Sequence, residues 1–403
     1  MFVRNGAASL TLAVFLYPMS QDLGWSRTLV AGAASLGGLL AIFASPLAGW
    51  AVDRYGARRV LTVSVLILGL ATFSLGWATT PLAFYLLYAV GRVIFSGPIP
   101  IGASVAVAQW FLRQRGRANA FLFLAHALGM GFFPLAAQGI MGGGGGEAWR
   151  EAWMGLGVLV WVLALGPVAA FIVHRPEDIG LAPDGRASHP SPRPGPSPTP
   201  PDVSRTLGEA VRTPALWLMA LAGGLLFCVH AGVNIHQGAY LRDKGLAASV
   251  AAFAIAVNAG CTGGGSVLWG FLVERLPVRW LYIAAACTVA LAAFLFPLVD
   301  TVGEAFAVTA LFGTGLAGML VLPSVAYAEY FGRPSLGRIR GVTEPFVGGG
   351  QALGALLAGA LYDATGSYYG AFAVFGVAAL GGAALLALAR PPAGVDTPTG
   401  RGK

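Results

Sequence analysis

Apolar runs of about twenty residues follow one another along nearly the whole chain, separated by short polar breaks. An α-helix needs a run of that length to cross the hydrocarbon core of a bilayer. The pattern predicts spans near residues 2–20, 28–50, 60–79, 82–108, 117–140, 152–173, 213–236, 248–271, 280–298, 304–326, 341–361 and 368–389, twelve in all. One long polar stretch, 174–212, interrupts the series, and its centre, SHPSPRPGPSPTPP, is too proline-rich to form a packed unit. The expected fold class is therefore all-α integral membrane, with six spans on each side of the break. The divisions are an N-terminal bundle (1–173), a cytoplasmic linker (174–212), a C-terminal bundle (213–390) and a cytoplasmic tail (391–403).

The two sets of six are copies. An offset of 221 sets Asp22 on Asp243, Gly24 on Gly245, Gly49 on Gly270, Asp53 on Glu274 and Arg54 on Arg275. Further along, WFLRQRGRANA (110–120) resembles YFGRPSLGRIRGVTE (330–344), and an offset of 225 then sets Gly116 on Gly341 and His126 on Gln351. A parallel repeat of six spans is an architecture of secondary transporters. It also exposes an irregularity at the start. The seventh span begins near Pro214, which maps about seven residues ahead of Met1, by that offset. Either translation begins upstream of Met1, or the first span is short and the membrane thins or side chains snorkel to meet it.

Composition agrees with the pattern and narrows the classes. Hydrophobic residues make up 56% and charged residues 10%, a balance foreign to soluble domains. The chain is basic, with 25 Lys and Arg against 17 Asp and Glu, but this is no nucleic-acid footprint. With both termini cytoplasmic, 19 of the 25 fall in cytoplasmic loops and the tail and four in outer loops, leaving Arg4 and Arg92. That asymmetry sets the expected topology. Cys228, Cys261 and Cys287 lie in apolar runs without metal-ligand spacing and read as small packing residues. The glycines of 142–146 read as an outer loop, and those near 348–359 as close helix contacts. No phosphate-binding G-x-x-x-x-G-K-[ST], catalytic triad or metal-ligand cluster is written in the sequence, so no enzyme, cofactor or metal is expected.

The stretch GWAVDRYGARR (49–59) carries the sharpest signal. A span ends, the chain turns at Gly56, and a second span starts after Arg58 and Arg59. Asp53 stands where a neighbouring helix N-terminus or a basic side chain could hold it. The pattern G-x-x-x-D-R-x-G-x-R-R resembles the signature loop between helices 2 and 3 of the major facilitator superfamily. GFLVERLPVRW (270–280) reads as a decayed second copy. The segments GWSRT (24–28), WFLRQRGRANA, RPEDIGLAPDG (175–185) and LLAGALYDATGSY (356–368) resemble the branch of oxalate/formate antiporters and monocarboxylate transporters. The resemblance implies a monomeric inner-membrane secondary transporter of a small organic anion, by proton symport or exchange, through alternating access. It implies a conformational gate at Gly49, Asp53, Arg54, Gly56, Arg58 and Arg59, with Glu274 and Arg275 in the second copy.

The substrate site must come from polar residues inside spans, which are costly and functional by default. Relatives in this branch carry basic residues in helices 8 and 11. Here the eighth span holds only Asn258, and the eleventh holds Glu344 and Gln351, so those roles cannot be carried over. The candidates are Arg92, His126, His230, Asn234 and Gln351. Arg92 lies before Pro98 and Pro100, where interrupted backbone is expected beside a cavity. Each candidate also has a structural reading, as a helix tie or a satisfied buried group. Glu344, four residues after Arg340, is expected to pair with it. The runner-up function is a proton-driven exporter of amphipathic compounds, using Phe95, Phe132, Phe133, Trp217 and Phe227 as cavity wall. A membrane sensor or scaffold is the reading from a different class.

Overall fold

The computed structural model describes residues 1–142, 148–173, 175–187 and 205–392. The expectations for the glycine loop at 143–146, the proline-rich core of the linker and the tail from 393 lie outside those residues. The described chain forms twelve long helices. In the N-terminal half they are α1 (Ser9–Leu23), α2 (Arg27–Tyr55), α3 (Ala57–Trp77), α4 (Pro81–Trp110), α5 (Arg115–Met141) and α6 (Ala148–Phe171). In the C-terminal half they are α7 (Pro214–Asp243), α8 (Ala248–Leu272), α9 (Val278–Leu298), α10 (Val302–Phe331), α11 (Leu336–Thr365) and α12 (Tyr369–Leu388). Ten are long and apolar enough to cross a membrane. The other two are α1, with 15 residues, and α11, which carries Arg338, Arg340, Glu344 and Gln351.

Local chemistry accounts for the boundaries. Ser26 and Thr80 accept from the backbone N–H three residues on and so cap α2 and α4. Thr301 and Glu304 form a reciprocal capping box at the start of α10. Gly56 has φ 83°, a conformation costly for other residues, so α2 can stop and α3 begin with only this residue between them.

Within the N-terminal half α2 packs on α4 and α3 on α6; within the C-terminal half α7 packs on α11 and α9 on α10 and α12. Glycine sets the α7–α11 spacing: a Cβ on Gly350 would lie 2.0 Å from the Gly224 carbonyl oxygen. In a bilayer, helices associate through such close packing, because lipid tails are as apolar as the side chains.

Two seams join the halves, α2 against α11 and α5 against α8, and the internal repeat relates one to the other. Both are glycine contacts. A Cβ on Gly49 would lie 2.1 Å from the Gly337 carbonyl oxygen, and one on Gly116 2.2 Å from that of Gly270. The close approaches run from Gly49 to Gly348–Ile42 on the first seam and from Gly116 to Gly263–Leu124 on the second. All lie toward the end of the bundles that carries the linker. Ser104–Ser324, at 3.3 Å, and the mutual Gln109–Arg333 backbone contacts join the halves at that same end.

Candidate functional site

Arg92 lies on α4, and its stem rests on Gly37 of α2. A Cβ on Gly37 would come within 2.5 Å of the Arg92 Cβ, so only glycine leaves the space. One turn on, Phe95 shares its face, and the Arg92 guanidinium sits 4.6 Å from the ring centroid. Arg92 Nε is buried and without a hydrogen-bond partner among the described residues. The break in α4 is smaller than the prolines suggest. It is confined to Gly97 (φ −108°, ψ −86°), whose N–H still reaches the Val93 carbonyl at 2.9 Å. The backbone is therefore not unwound.

A second arginine shares the ring. Residues Phe2–Ala7 form a 3-10 turn, extended backbone at Ala8 separates it from α1, and Arg4 projects from it. Its guanidinium lies 4.4 Å from the Phe95 centroid, and it donates to the Phe95 carbonyl at 3.4 Å. Its Nε donates to His126 Nδ1 at 3.3 Å, and one terminal nitrogen lies 3.0 Å from Nε2. Asn5, fully buried, contacts His126 Nδ1 at 3.1 Å and donates to its backbone carbonyl. Gly129 of α5 makes room for the turn, since a Cβ there would lie 2.3 Å from the Phe2 carbonyl oxygen.

Two like charges on one aromatic ring need compensation. Cation–π attraction offsets about 2 kcal/mol of each when desolvated. Among the described residues neither Arg4 nor Arg92 forms an ion pair. Glu344 is within electrostatic range of Arg4, but its carboxylate is bonded to Arg340 at 2.5 Å, the pairing its spacing predicts. The centre of the N-terminal half is rich in cations and hydrogen-bond donors.

From α7 and α8 the C-terminal half answers with uncharged groups. His230 and Asn234 share a face of α7, as their spacing requires, with Asn234 Nδ2 2.8 Å from His230 Nδ1. Asn258 of α8 donates to Asn234 at 2.9 Å and to Gln237 at 3.3 Å. Thr262 bonds back to Asn258 and to the Gly313 carbonyl of α10. His230 and His126 are within electrostatic range of each other. Gln351 is half-buried and makes no hydrogen bond among the described residues. Of the five sequence candidates, Arg92 and His126 thus meet through Phe95 and Arg4, and His230 and Asn234 form a second cluster.

The residues expected to form a gate divide by contact. Asp53 accepts from the backbone N–H groups of Gly337 and Arg338, both at 2.9 Å, at the N-terminus of α11. Unpaired donors and the helix dipole favour a carboxylate there. Arg58 donates to the Ala169 carbonyl at 2.9 Å, near the C-terminus of α6. Arg54 and Arg59 are exposed. The second copy repeats these contacts. Glu274 accepts from the Arg117 backbone N–H at 3.1 Å and pairs with its side chain at 2.8 Å, at the N-terminus of α5. Arg279, at the position of Arg58, donates to the Ala387 carbonyl near the end of α12. Arg275 is exposed like Arg54. The copy that reads as decayed keeps the three contacting positions, Gly270, Glu274 and Arg279.

Beyond the linker-end helices, Asp184 accepts from the N–H groups of Leu112, Arg113 and Gln114, between α4 and α5. Glu177 reaches Arg333 of the other half at 3.4 Å. The RPEDIGLAPDG segment is more than an exit turn, and it folds against that face.

A family model described as the Major Facilitator Superfamily matches residues 1–264 and 231–403. The oxalate:formate antiporter of Oxalobacter formigenes is 25% identical over 301 residues, covering 72% of this chain and 65% of the antiporter, just under two thirds of its length. The membrane sensor protein UhpC of Salmonella typhimurium is 27% identical over 327 residues, covering 78% of this chain and 71% of the sensor. The crystal structure of the human organic anion transporter MFSD10 superposes with a TM-score of 0.69 at 14% identity, over 96% of this chain and 98% of that one, a likeness of fold.

Proposed function

The chain is a member of the Major Facilitator Superfamily of membrane transporters, and from that premise we propose that it moves a small organic anion across the inner membrane, by proton symport or by exchange. One observation carries the reading: Arg4 and Arg92 converge on Phe95 without an ion-pair partner among the described residues. A guanidinium inside a span cannot shed its charge, and an unpaired one costs about 2.5–3.5 kcal/mol on insertion scales. An anion with two oxygens matches the planar fork of each arginine. Arg92, His126, His230, Asn234 and Gln351, with Arg4 added, form the proposed binding and coupling set. The antiporter among the relatives is named for two organic anions, which supports the same class.

The linker and both termini are proposed to face the cytoplasm, on the strength of the basic-residue asymmetry. The state described, sealed at the linker end by both glycine seams, is then closed toward the cytoplasm. Alternating access would break the α2–α11 and α5–α8 contacts and release Asp53 and Glu274 from the helix ends they hold.

Uptake of labelled organic anions into proteoliposomes, with and without a pH gradient, tests the function. Arg92→Gln and Arg4→Gln should each weaken anion binding by about tenfold or more, the loss of a charge-assisted contact. Arg92→Lys should be a poor replacement, because it lacks the fork. Folded Arg92→Gln protein that binds its anion with unchanged affinity, or that still exports a neutral or cationic compound, would overturn the assignment in favour of the exporter reading. For topology, a cysteine at Ser197 should label only from the cytoplasm and one at Gly144 only from outside; the reverse pattern inverts the orientation.

A further inference from the structure

The proposed site has two unlike walls. The N-terminal wall carries fixed cations. In the C-terminal half Arg340 of α11 is paired with Glu344, and the wall made by α7 and α8 carries no charge, from Pro214 to Leu241 and from Ala248 to Val273. What it has is a directed hydrogen-bond chain. Asn258 Nδ2 donates to Asn234 Oδ1 at 2.9 Å, and Asn234 Nδ2 donates to the His230 backbone carbonyl at 3.0 Å. Turning the Asn234 amide over would set two oxygens 3.0 Å apart and two amide nitrogens 2.9 Å apart, so its direction is determined. The same Asn234 nitrogen lies 2.8 Å from His230 Nδ1, and an amide nitrogen only donates. Nδ1 is therefore an acceptor, and the ring proton of neutral His230 is on Nε2. Nε2 makes no hydrogen bond to a described residue, and His230 is only half-buried. The His230 ring is within electrostatic range of His126, which Arg4 contacts.

We infer that the substrate is a singly charged anion whose far end carries an uncharged hydrogen-bond acceptor, a hydroxyl or carbonyl oxygen, and that His230 reads that end through Nε2–H. This rests on the anion site proposed above and adds the opposite pole of the ligand. A second carboxylate would meet one neutral donor and no cation on α7 or α8. A plain alkyl end would leave the donor unpaired in a buried setting. Asn234 and Asn258 act as positioning residues, because they hold the ring in the tautomer that donates.

Purified protein in nanodiscs, with competition among ω-hydroxy carboxylates, plain carboxylates and α,ω-dicarboxylates of about three to six carbons, tests the inference. The best ω-hydroxy acid should bind about tenfold tighter than the plain acid and the diacid of equal length, one buried hydrogen bond's worth. His230→Phe should abolish that preference. His230→Gln, which keeps a donor, should retain much of it. Tighter binding of the plain acid or the diacid, or a preference that survives His230→Phe, overturns the inference and leaves the anion site standing. If no series binds in a manner lost on Arg92→Gln, the anion site itself falls, and the inference with it.

Discussion

Asp53 and Glu274 hold equivalent places in the two halves, yet they are held differently. Asp53, with 3% of its side chain exposed, is bonded by two backbone N–H groups. Glu274 is 15% exposed, takes one backbone N–H, and spends its other contact on Arg117, itself 40% exposed. A buried carboxylate held by fixed backbone donors has no solvent to fall back on, whereas a partly exposed ion pair contributes about 0.2–1 kcal/mol. The difference teaches that the two seams close together but are not equally strong. The motif that is better preserved in sequence is also the better buried.

Substitutions can break or sharpen that contrast. Gly49→Ala should do the most harm. Its methyl would meet the Gly337 backbone at 2.1 Å, where nothing flexible can yield, so the linker end should fail to close. Transport should fall by well over about tenfold, with labelling from the linker side increased. Normal labelling would mean that α2 slides at no cost. Asp53→Asn should come next, with transport reduced by about tenfold or more at normal expression. Glu274→Gln should cost a few-fold, about 1 kcal/mol, since one of its two contacts is partly solvated. Equal losses at Asp53 and Glu274 would erase the distinction between the seams. Arg117→Gln should cost about twofold or less, because the backbone N–H to Glu274 survives the change. Arg54→Gln, exposed and outside both seams, is the control and should leave closure intact.

Most of the fold was legible because membrane spans are written in length and apolarity, and the repeat in spacing. The twelve predicted spans correspond to twelve helices, with ends shifted by up to seven residues: the first begins at Ser9 and not at residue 2, because Phe2–Ala7 form the 3-10 turn, and the seventh runs on to Asp243. The offset of 221 found the pairing of Asp53 with Glu274 and extends to Arg58 with Arg279. The site was less legible. Arg4 stood out only as one of two basic residues that the topology left unassigned. Its position depends on a 3-10 turn, on extended backbone at Ala8 and on the space over Gly129, none of which has a sequence period. Asn258 was visible as the lone amide side chain of a charge-free span, but its bond to Asn234 spans 24 positions and joins two helices. Arg279 was hidden for a different reason. A carbonyl acceptor can be supplied by any residue, so nothing in the sequence of α12 marks Ala387 as a partner.

Arg58 and Asp53 lie five residues apart in one loop, but they belong to different thermodynamic ledgers. Arg58 bonds α6, inside its own half, and that contact is carried unchanged through any movement of one half against the other. Its free energy appears equally in both conformations and cancels from the equilibrium between them. Asp53 bonds α11, across the seam, and under the proposed alternating access its free energy would appear in one conformation only. Damage to the first should lower the melting temperature without altering which face is open. Damage to the second should alter which face is open at nearly constant melting temperature. Two neighbouring charges thus separate the durability of the transporter from its timing.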